Sequence, residues 1–346
     1  MIGSGVRNGR LRSHRVERGP AACRYFPPMP AWFRLLRPGD WTKNVFVLIA
    51  PVFWLASRRA GEHPGDLGPI VMATALAFAA FCLCASGFYA VNDAIDAPRD
   101  RTHPVKRKRP VASGEISPGA AKAVGAVLIA AGIAVAFAAG RGAGMTLVAY
   151  AILQALYNAA FKRWPVIDVS TVAIGFSMRA ACGALAIGTP ISPWLVALVF
   201  SLTFYLGFIK RLCDLSSARL AGNDAWRSPA GYDDPIELSW LLGLGATLTV
   251  VGYLTYALSR HAGEIFGVRS AGLALLTPFV IIAIFRFYRR ARLGQSDSPL
   301  AALREDPVVL GSIILFTAGT LAVLYAPGVG DALGGLFLFE APPKSG

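Results

Sequence analysis

The sequence predicts an all-α integral membrane protein with nine transmembrane helices, and three observations carry that prediction. Its 346 residues are 55% apolar and only 16% charged, with a mean hydropathy of +0.52. An ordinary soluble domain is roughly a quarter charged, so this chain lacks the material to cover a water-facing surface. The apolar residues fall in nine stretches, and the cations fall almost entirely on alternate sides of them.

The stretches run over Val45–Leu55, Ile70–Val91, Ala123–Gly140, Met145–Phe161, Val166–Gly188, Trp194–Ile209, Leu238–Leu258, Leu273–Phe285 and Val308–Tyr325. Several fall short of the roughly 20 residues that a straight span needs, so their ends must extend into polar flanks. Continuous apolarity excludes the alternating strands of a barrel, and lipid leaves helices as the remaining way to satisfy the backbone.

With the N-terminus inside, 27 of the 34 Lys and Arg residues lie in the N-terminal region and the even-numbered loops. The exceptions are Arg58, Arg59, Arg141, Arg260, Arg269 and Lys344 on the other side, and Arg179 within a span. This bias predicts a multi-pass membrane protein with its N-terminus inside and its C-terminus outside. It also accounts for much of the +14 net charge without nucleic acid. Residues 1–30, rich in Arg, Gly and Pro, read as a disordered basic arm rather than a signal peptide. Residues 31–326 form the membrane domain, and 327–346 a flexible tail. The five cysteines (Cys23, Cys82, Cys84, Cys182 and Cys213) include no CxxC pair, and the four histidines are scattered, so neither a disulfide framework nor a zinc site is expected.

The polar chemistry gathers at helix ends. Asn92, Asp96 and Asp100 follow the second stretch at i, i+4, i+8, on one face of a continuing helix. Three oxygen donors so placed suit Mg²⁺, or Mn²⁺, with positions left for water and a phosphate. An ordinary solvated helix end is the plainer alternative, but clustered acids repel one another without a cation. Asp93 points off that face, as a supporting group, and Pro98 disturbs the turn leading to Asp100. The run from His103 to Pro110 follows, with Lys106, Arg107, Lys108 and Arg109 suited to phosphate oxygens, or to simple topological anchoring.

Lys210, Arg211 and Asp214 hold the matching position after the sixth stretch, with Tyr232 beyond them in the loop. Tyr157 closes the fourth stretch on the same side. Two four-helix halves would thus offer polar ends to one shared cavity. Arg179 lies about 20 Å into its span at 1.5 Å per residue, where exposure to lipid would cost at least about 2.5–3.5 kcal/mol. It must face a ligand or a partner on another helix; Asp168 is too far along the same helix to be that partner. Lys43 and Asn44 stand one turn inside the first stretch, behind an interfacial Trp41.

These motifs resemble the UbiA superfamily of intramembrane prenyltransferases. Asn92, Asp93, Asp96 and Asp100 match its NDxxDxxxD signature, and the resemblance covers about residues 34–325. Within it, the chain is more similar to the branch that transfers phosphoribose to decaprenyl phosphate. That branch has W-x-K-N (Trp41–Asn44), H-P-x-K-R-x-R-P (His103–Pro110), G-F-x-x-R (Gly175–Arg179) and K-R-x-x-E-L, here Lys210–Leu215 with Asp214 for Glu. Aromatic prenyltransferases carry a second motif, DxxxD, whose last position is Ala218 here.

The resemblance implies a bundle around a central cavity open to the cytoplasm, in which Mg²⁺ is held by Asn92, Asp96 and Asp100. It implies transfer of 5-phosphoribose from phosphoribosyl pyrophosphate to a polyprenyl phosphate, for lipid donors used in envelope synthesis. Lys43, Asn44, Lys106, Arg107, Arg109, Tyr157, Arg179, Lys210, Arg211, Asp214 and Tyr232 would bind substrate. The alternative within the superfamily moves a prenyl chain onto an aromatic precursor. A transporter would place its acids at mid-membrane, whereas these lie at helix ends.

Overall fold

Every apolar stretch falls on helix in the computed structural model, which describes residues 29–57, 67–102, 106–220, 222, 230–296 and 298–337. The arginine arm, His103, Cys23 and the last nine residues lie outside the described residues. Helix α1 (Ala31–Leu36) leads through a 3-10 helix (Pro38–Leu48) into α2 (Ile49–Ala56). The long helices α3 (Gly68–Asp100), α4 (Pro118–Ala139), α5 (Arg141–Ala159), α6 (Ile167–Ala186), α7 (Pro193–Leu220) and α8 (Pro235–Ala257) follow. Short helices α9 (Arg260–Phe266) and α10 (Arg269–Ala274) precede α11 (Thr277–Arg292). Helices α12 (Pro299–Glu305), α13 (Pro307–Tyr325) and α14 (Val329–Leu336) complete the chain. There is no strand among the described residues.

Among the described residues, seven helical segments are long and apolar enough to cross a membrane: α3, α4, α6, α7, α8, the α10–α11 pair and α13. The expected nine is not reached on that measure. Pro38–Ala56 divides into 3-10 and α pieces, and α5 is diluted by Arg141, Thr146, Gln154 and Tyr157. Large apolar side chains such as Val71, Val127 and Trp240 face outward, where lipid would meet them.

The helix starts follow a simple code. Ser117-Pro118, Asp234-Pro235, Ser298-Pro299 and Asp306-Pro307 each pair a capping oxygen with a proline at the first helical position. Asp306 Oδ1 accepts from the N–H groups of Val308 and Val309, while Arg286 and Arg290 hold Oδ2 at 2.6 and 3.5 Å. Proline needs no donor there, and the cap satisfies the amides that remain.

Helix α6 is the axis of the fold, with 61% of its apolar window buried against 44% or less in the other six. One core lies on its first side, around Val47, Phe81, Cys84, Leu147, Tyr150 and Cys182. The second lies on its other side, around Val169, Phe204, Phe208, Leu238, Phe287 and Val309. The C-terminal ends of α3, α5 and α7 and the start of α6 therefore emerge together, because consecutive helices reverse direction.

Close approach depends on glycine where the 3-10 segment crosses α6. A Cβ built on Gly183 would lie 2.0 Å from the Val47 carbonyl oxygen, with Pro51 Cδ at 3.3 Å. Backbone cannot rotate away as a side chain does, so the two elements would have to separate. Gly183→Ala is expected to cost about 1–3 kcal/mol, the usual range for overpacking. The measurement is the thermal midpoint of the purified protein in detergent; an unchanged midpoint would contradict this crossing.

Candidate active site

The lead-in segment is stapled along α3. Asn44 Nδ2 donates to Cys82 Sγ (3.2 Å), Trp41 Nε1 to Ser86 Oγ (3.0 Å) and Lys43 Nζ to the Tyr89 hydroxyl (3.4 Å), and Arg37 pairs with Asp93. The 3-10 geometry makes this register fit. Seven residues at about 2.0 Å rise cover roughly 14 Å, close to the roughly 16 Å that α3 rises from Cys82 to Asp93. Cations thereby line up beside the acidic end of α3.

At that end the helix runs through Pro98 without breaking. Its acids do not share one fate. Asp93 and Asp100 are buried and both bind Arg109, whose Nη1 lies 2.6 Å from Asp100 Oδ2 and 3.3 Å from Asp93 Oδ1. Asn92, Asp96 and Asp100 are expected on one helix face, and helix geometry spreads them apart. At about 100° per residue, Asp100 has turned 80° from Asn92 and lies 20° from Asp93. Asn92 and Asp96 remain half-buried, and among the described residues the Asp96 carboxylate has neither an ion pair nor a hydrogen bond.

The loop beyond α3 carries Lys106 and Arg107, both exposed on a single 3-10 turn. Arg34 ties this loop to α1 by pairing with Glu115, and its guanidinium holds that carboxyl below the usual range. Lys43 Nζ reaches Asp40 Oδ1 at 2.6 Å, and the Arg37 guanidinium lies 4.9 Å from the centre of the Tyr89 ring.

The second cluster forms where α5 ends, α6 begins and α7 ends. Arg211 Nη2 lies 2.7 Å from Asp168 Oδ2, and Asp214 approaches the same guanidinium at 3.9 Å. The Tyr157 hydroxyl lies against it as well. Lys210 pairs with Asp214 one turn along α7. Asp168 is fully buried, and Tyr232 donates its hydroxyl to Oδ1. Tyr232 is a core residue, 1% exposed, whose hydroxyl serves Asp168. Burial, and then the bond to Asp168, push its phenol up, so it stays protonated and donates.

Arg179 lies deeper and is 6% exposed. Its Nε donates to Asn44 Oδ1 (2.9 Å), Nη1 to the Gly175 carbonyl (2.8 Å) and Nη2 to the Tyr150 hydroxyl (2.8 Å). Phe81, Tyr150 and Phe176 present ring faces 4.7–5.2 Å from the guanidinium carbon. No carboxylate pairs with it among the described residues. Neutral acceptors and aromatic faces hold the charge instead.

A model of the UbiA prenyltransferase family matches residues 45–310. The chain belongs to this family. Among relatives of this UbiA-family protein, the decaprenyl-phosphate phosphoribosyltransferase of Corynebacterium glutamicum is 32% identical over 283 residues, spanning 80% of this chain and 81% of the relative. The Mycolicibacterium smegmatis protein of the same name is 31% identical over 300 residues, 84% of this chain and 92% of its own. Among solved structures, a UbiA homologue from Archaeoglobus fulgidus bound to GPP and Mg²⁺ has a TM-score of 0.58 at 20% identity, covering 85% of this chain and 99% of that one. The likeness to that structure is one of fold. The family and the named relatives make the chain a multi-pass membrane transferase.

Sequence pattern alone gives no sign of Arg37, Tyr89 or Tyr150 as site residues. Asp168 carries one available signal: an acid at the start of a span, at the same depth as Arg211.

Proposed function

We propose that the protein transfers 5-phosphoribose from phosphoribosyl pyrophosphate to a long polyprenyl phosphate and releases pyrophosphate. One observation carries the reading furthest. Of the carboxylates in the two clusters, Asp40, Asp93, Asp100, Asp168 and Asp214 are each matched to a cation, whereas Asp96 is matched to none among the described residues. This pattern supports a single metal–diphosphate site beside a cationic monophosphate site, rather than two metal-binding motifs.

The oxygen donors Asn92 and Asp96, four residues apart, fit Mg²⁺, which takes one or two protein carboxylates and keeps positions for water and phosphate. Bound there, the ion would neutralise charge on the pyrophosphate. Asp93 and Asp100 act differently, by fixing Arg37 and Arg109 beside that site. Lys106 and Arg107 face solvent at its rim and would meet the leaving pyrophosphate. Lys43, Arg179, Lys210 and Arg211 are the cations available for the ribose 5-phosphate and the lipid phosphate.

The lipid phosphate is already anionic, so no general base is needed. One of its oxygens attacks ribose C1 as the bond from C1 to the pyrophosphate oxygen breaks, and the electron pair leaves with pyrophosphate. Positioning and electrostatic stabilisation supply the rate. The charge bias of the loops supports a cytoplasmic site, an inside N-terminus and an outside C-terminus, and relatives named for decaprenyl phosphate support a long isoprenoid acceptor.

The test is purified protein in detergent with labelled phosphoribosyl pyrophosphate, a polyprenyl phosphate and Mg²⁺. Label should enter the organic phase only when all three are present. No label there, together with prenylation of an aromatic acid from a polyprenyl diphosphate, would replace this reading with the aromatic branch of the family.

A further inference from the structure

The start of α6 contains a strained turn that the fold goes to some length to hold. Val166 has φ 66° and ψ −43°, and the Ile167 N–H donates to the Pro165 carbonyl at 2.7 Å. That is a γ-turn of the rare positive-φ hand, centred on a β-branched residue, for which this region of backbone space is a true outlier. Strain of this kind persists only where the surroundings over-determine it. The Tyr232 hydroxyl supplies the restraint, accepting the Val166 N–H at 2.5 Å while donating to Asp168. Phe208 of α7 holds the Tyr232 ring edge-to-face at 5.7 Å.

The outcome of this arrangement is the placement of one carboxylate. Asp168 has no solvent exposure, and both its oxygens are engaged, one by Tyr232 and one by Arg211. Arg211 keeps a quarter of its side chain accessible, and Asp214 Oδ2 lies 3.9 Å from its Nη1. A free arginine on a helix end samples many rotamers, whereas this guanidinium is fixed by a buried partner.

We infer that Asp168 is a positioning residue for Arg211, tied to the backbone through Tyr232, and that it orients the guanidinium toward a phosphate-bearing substrate. The inference rests on the phosphoribosyl-transfer reading for which substrates are involved, but not for the contact itself. Asp168 does not touch substrate; it acts through Arg211. Asp168→Asn keeps the shape and the bond to Tyr232 while removing the charge that fixes the guanidinium. Tyr232→Phe keeps the ring and releases both Asp168 Oδ1 and the Val166 N–H.

The experiment is a double-mutant cycle between Asp168→Asn and Arg211→Ala, read in two ways on the full chain in detergent. The first readout is the dissociation constant of two probes, farnesyl phosphate and ribose 5-phosphate, each measured with its thermal midpoint. The second is the split between KM and kcat in phosphoribosyl transfer. For at least one probe, Asp168→Asn should weaken binding about 10-fold or more, and Asp168→Glu should restore part of it. In the Arg211→Ala background the same substitution should change nothing, because neighbours acting through one group are not additive.

Additive losses, or wild-type affinity for both probes in Asp168→Asn, would overturn the inference and leave the transfer reaction intact. Absence of transfer by the wild type, with a non-additive binding cycle, would instead reject the phosphoribosyl reading and leave the positioning role standing. If Asp168→Asn fails to fold, Tyr232→Phe carries the same cycle.

Discussion

Asp96→Asn is expected to lower kcat for phosphoribosyl transfer by about 10²–10³-fold, the range seen when one preorganised electrostatic group is removed from a reacting centre. The substitution is chosen because the Asp96 carboxylate makes no ion pair or hydrogen bond among the described residues, so it strands no partner and should leave the thermal midpoint unchanged. Its neighbours behave differently. Asp93→Asn and Asp100→Asn each release a guanidinium that is held in place now, so both stability and the KM of the pyrophosphate donor should move. Outer-shell changes of this kind cost about 10–100-fold. Rates measured across a Mg²⁺ titration separate the cases. Asp96→Asn should shift the half-saturating Mg²⁺ concentration upward, whereas Asp100→Asn should not. A wild-type Mg²⁺ profile for Asp96→Asn would remove Asp96 from the metal site.

The contrast between Asp96 and Asp100 also marks how far the sequence can be read. The apolar stretches, the Ser-Pro and Asp-Pro helix starts and the acidic helix end are local signals, and each depends on a few neighbouring residues. The direction in which Asp100 faces depends on accumulated rotation, 40° for each step of four residues, so a face that holds over one step fails over two. It depends further on Arg109 arriving from the next loop. Tyr232 is harder still. Its spacing from Lys210 suggests a common loop, but its burial is decided by Phe208, Asp168 and a strained backbone at Val166, none of which the loop sequence reveals. The 3-10 stretch over Pro38–Leu48 is invisible to hydropathy because it exists to match the rise of α3. Arg179 is the opposite case: a cation so deep in a span requires an interior partner, and the sequence leaves open only which groups those partners are.

Those partners make Arg179→Met the second large-effect variant, and one whose two effects can be pulled apart. Burying an ion with no opposing carboxylate is costly, and here three neutral acceptors and three ring faces offset it. Methionine strands few of these groups. Tyr150 still receives the Gln154 amide at 2.8 Å, and Gly175 O is a helix carbonyl with its own intrahelical donor. Asn44 Oδ1 is the acceptor left without a donor, which costs about 1–3 kcal/mol in a buried place. Replacing both partners by apolar groups of similar shape is close to neutral. Arg179→Met with Asn44→Leu should therefore recover most of the thermal midpoint lost in the single variant. Lysine is a poor substitute, since one ammonium cannot reproduce a planar fork that meets three acceptors. If the charge serves only to knit Pro38–Leu48 to α5 and α6, the stabilised double variant should regain transfer activity. If the deep cation stabilises a bound phosphate, stability should return while kcat/KM stays down by about 10²-fold or more. We expect the second result. An isolated charge in an interior that could have been filled with leucine is hard to account for by packing alone.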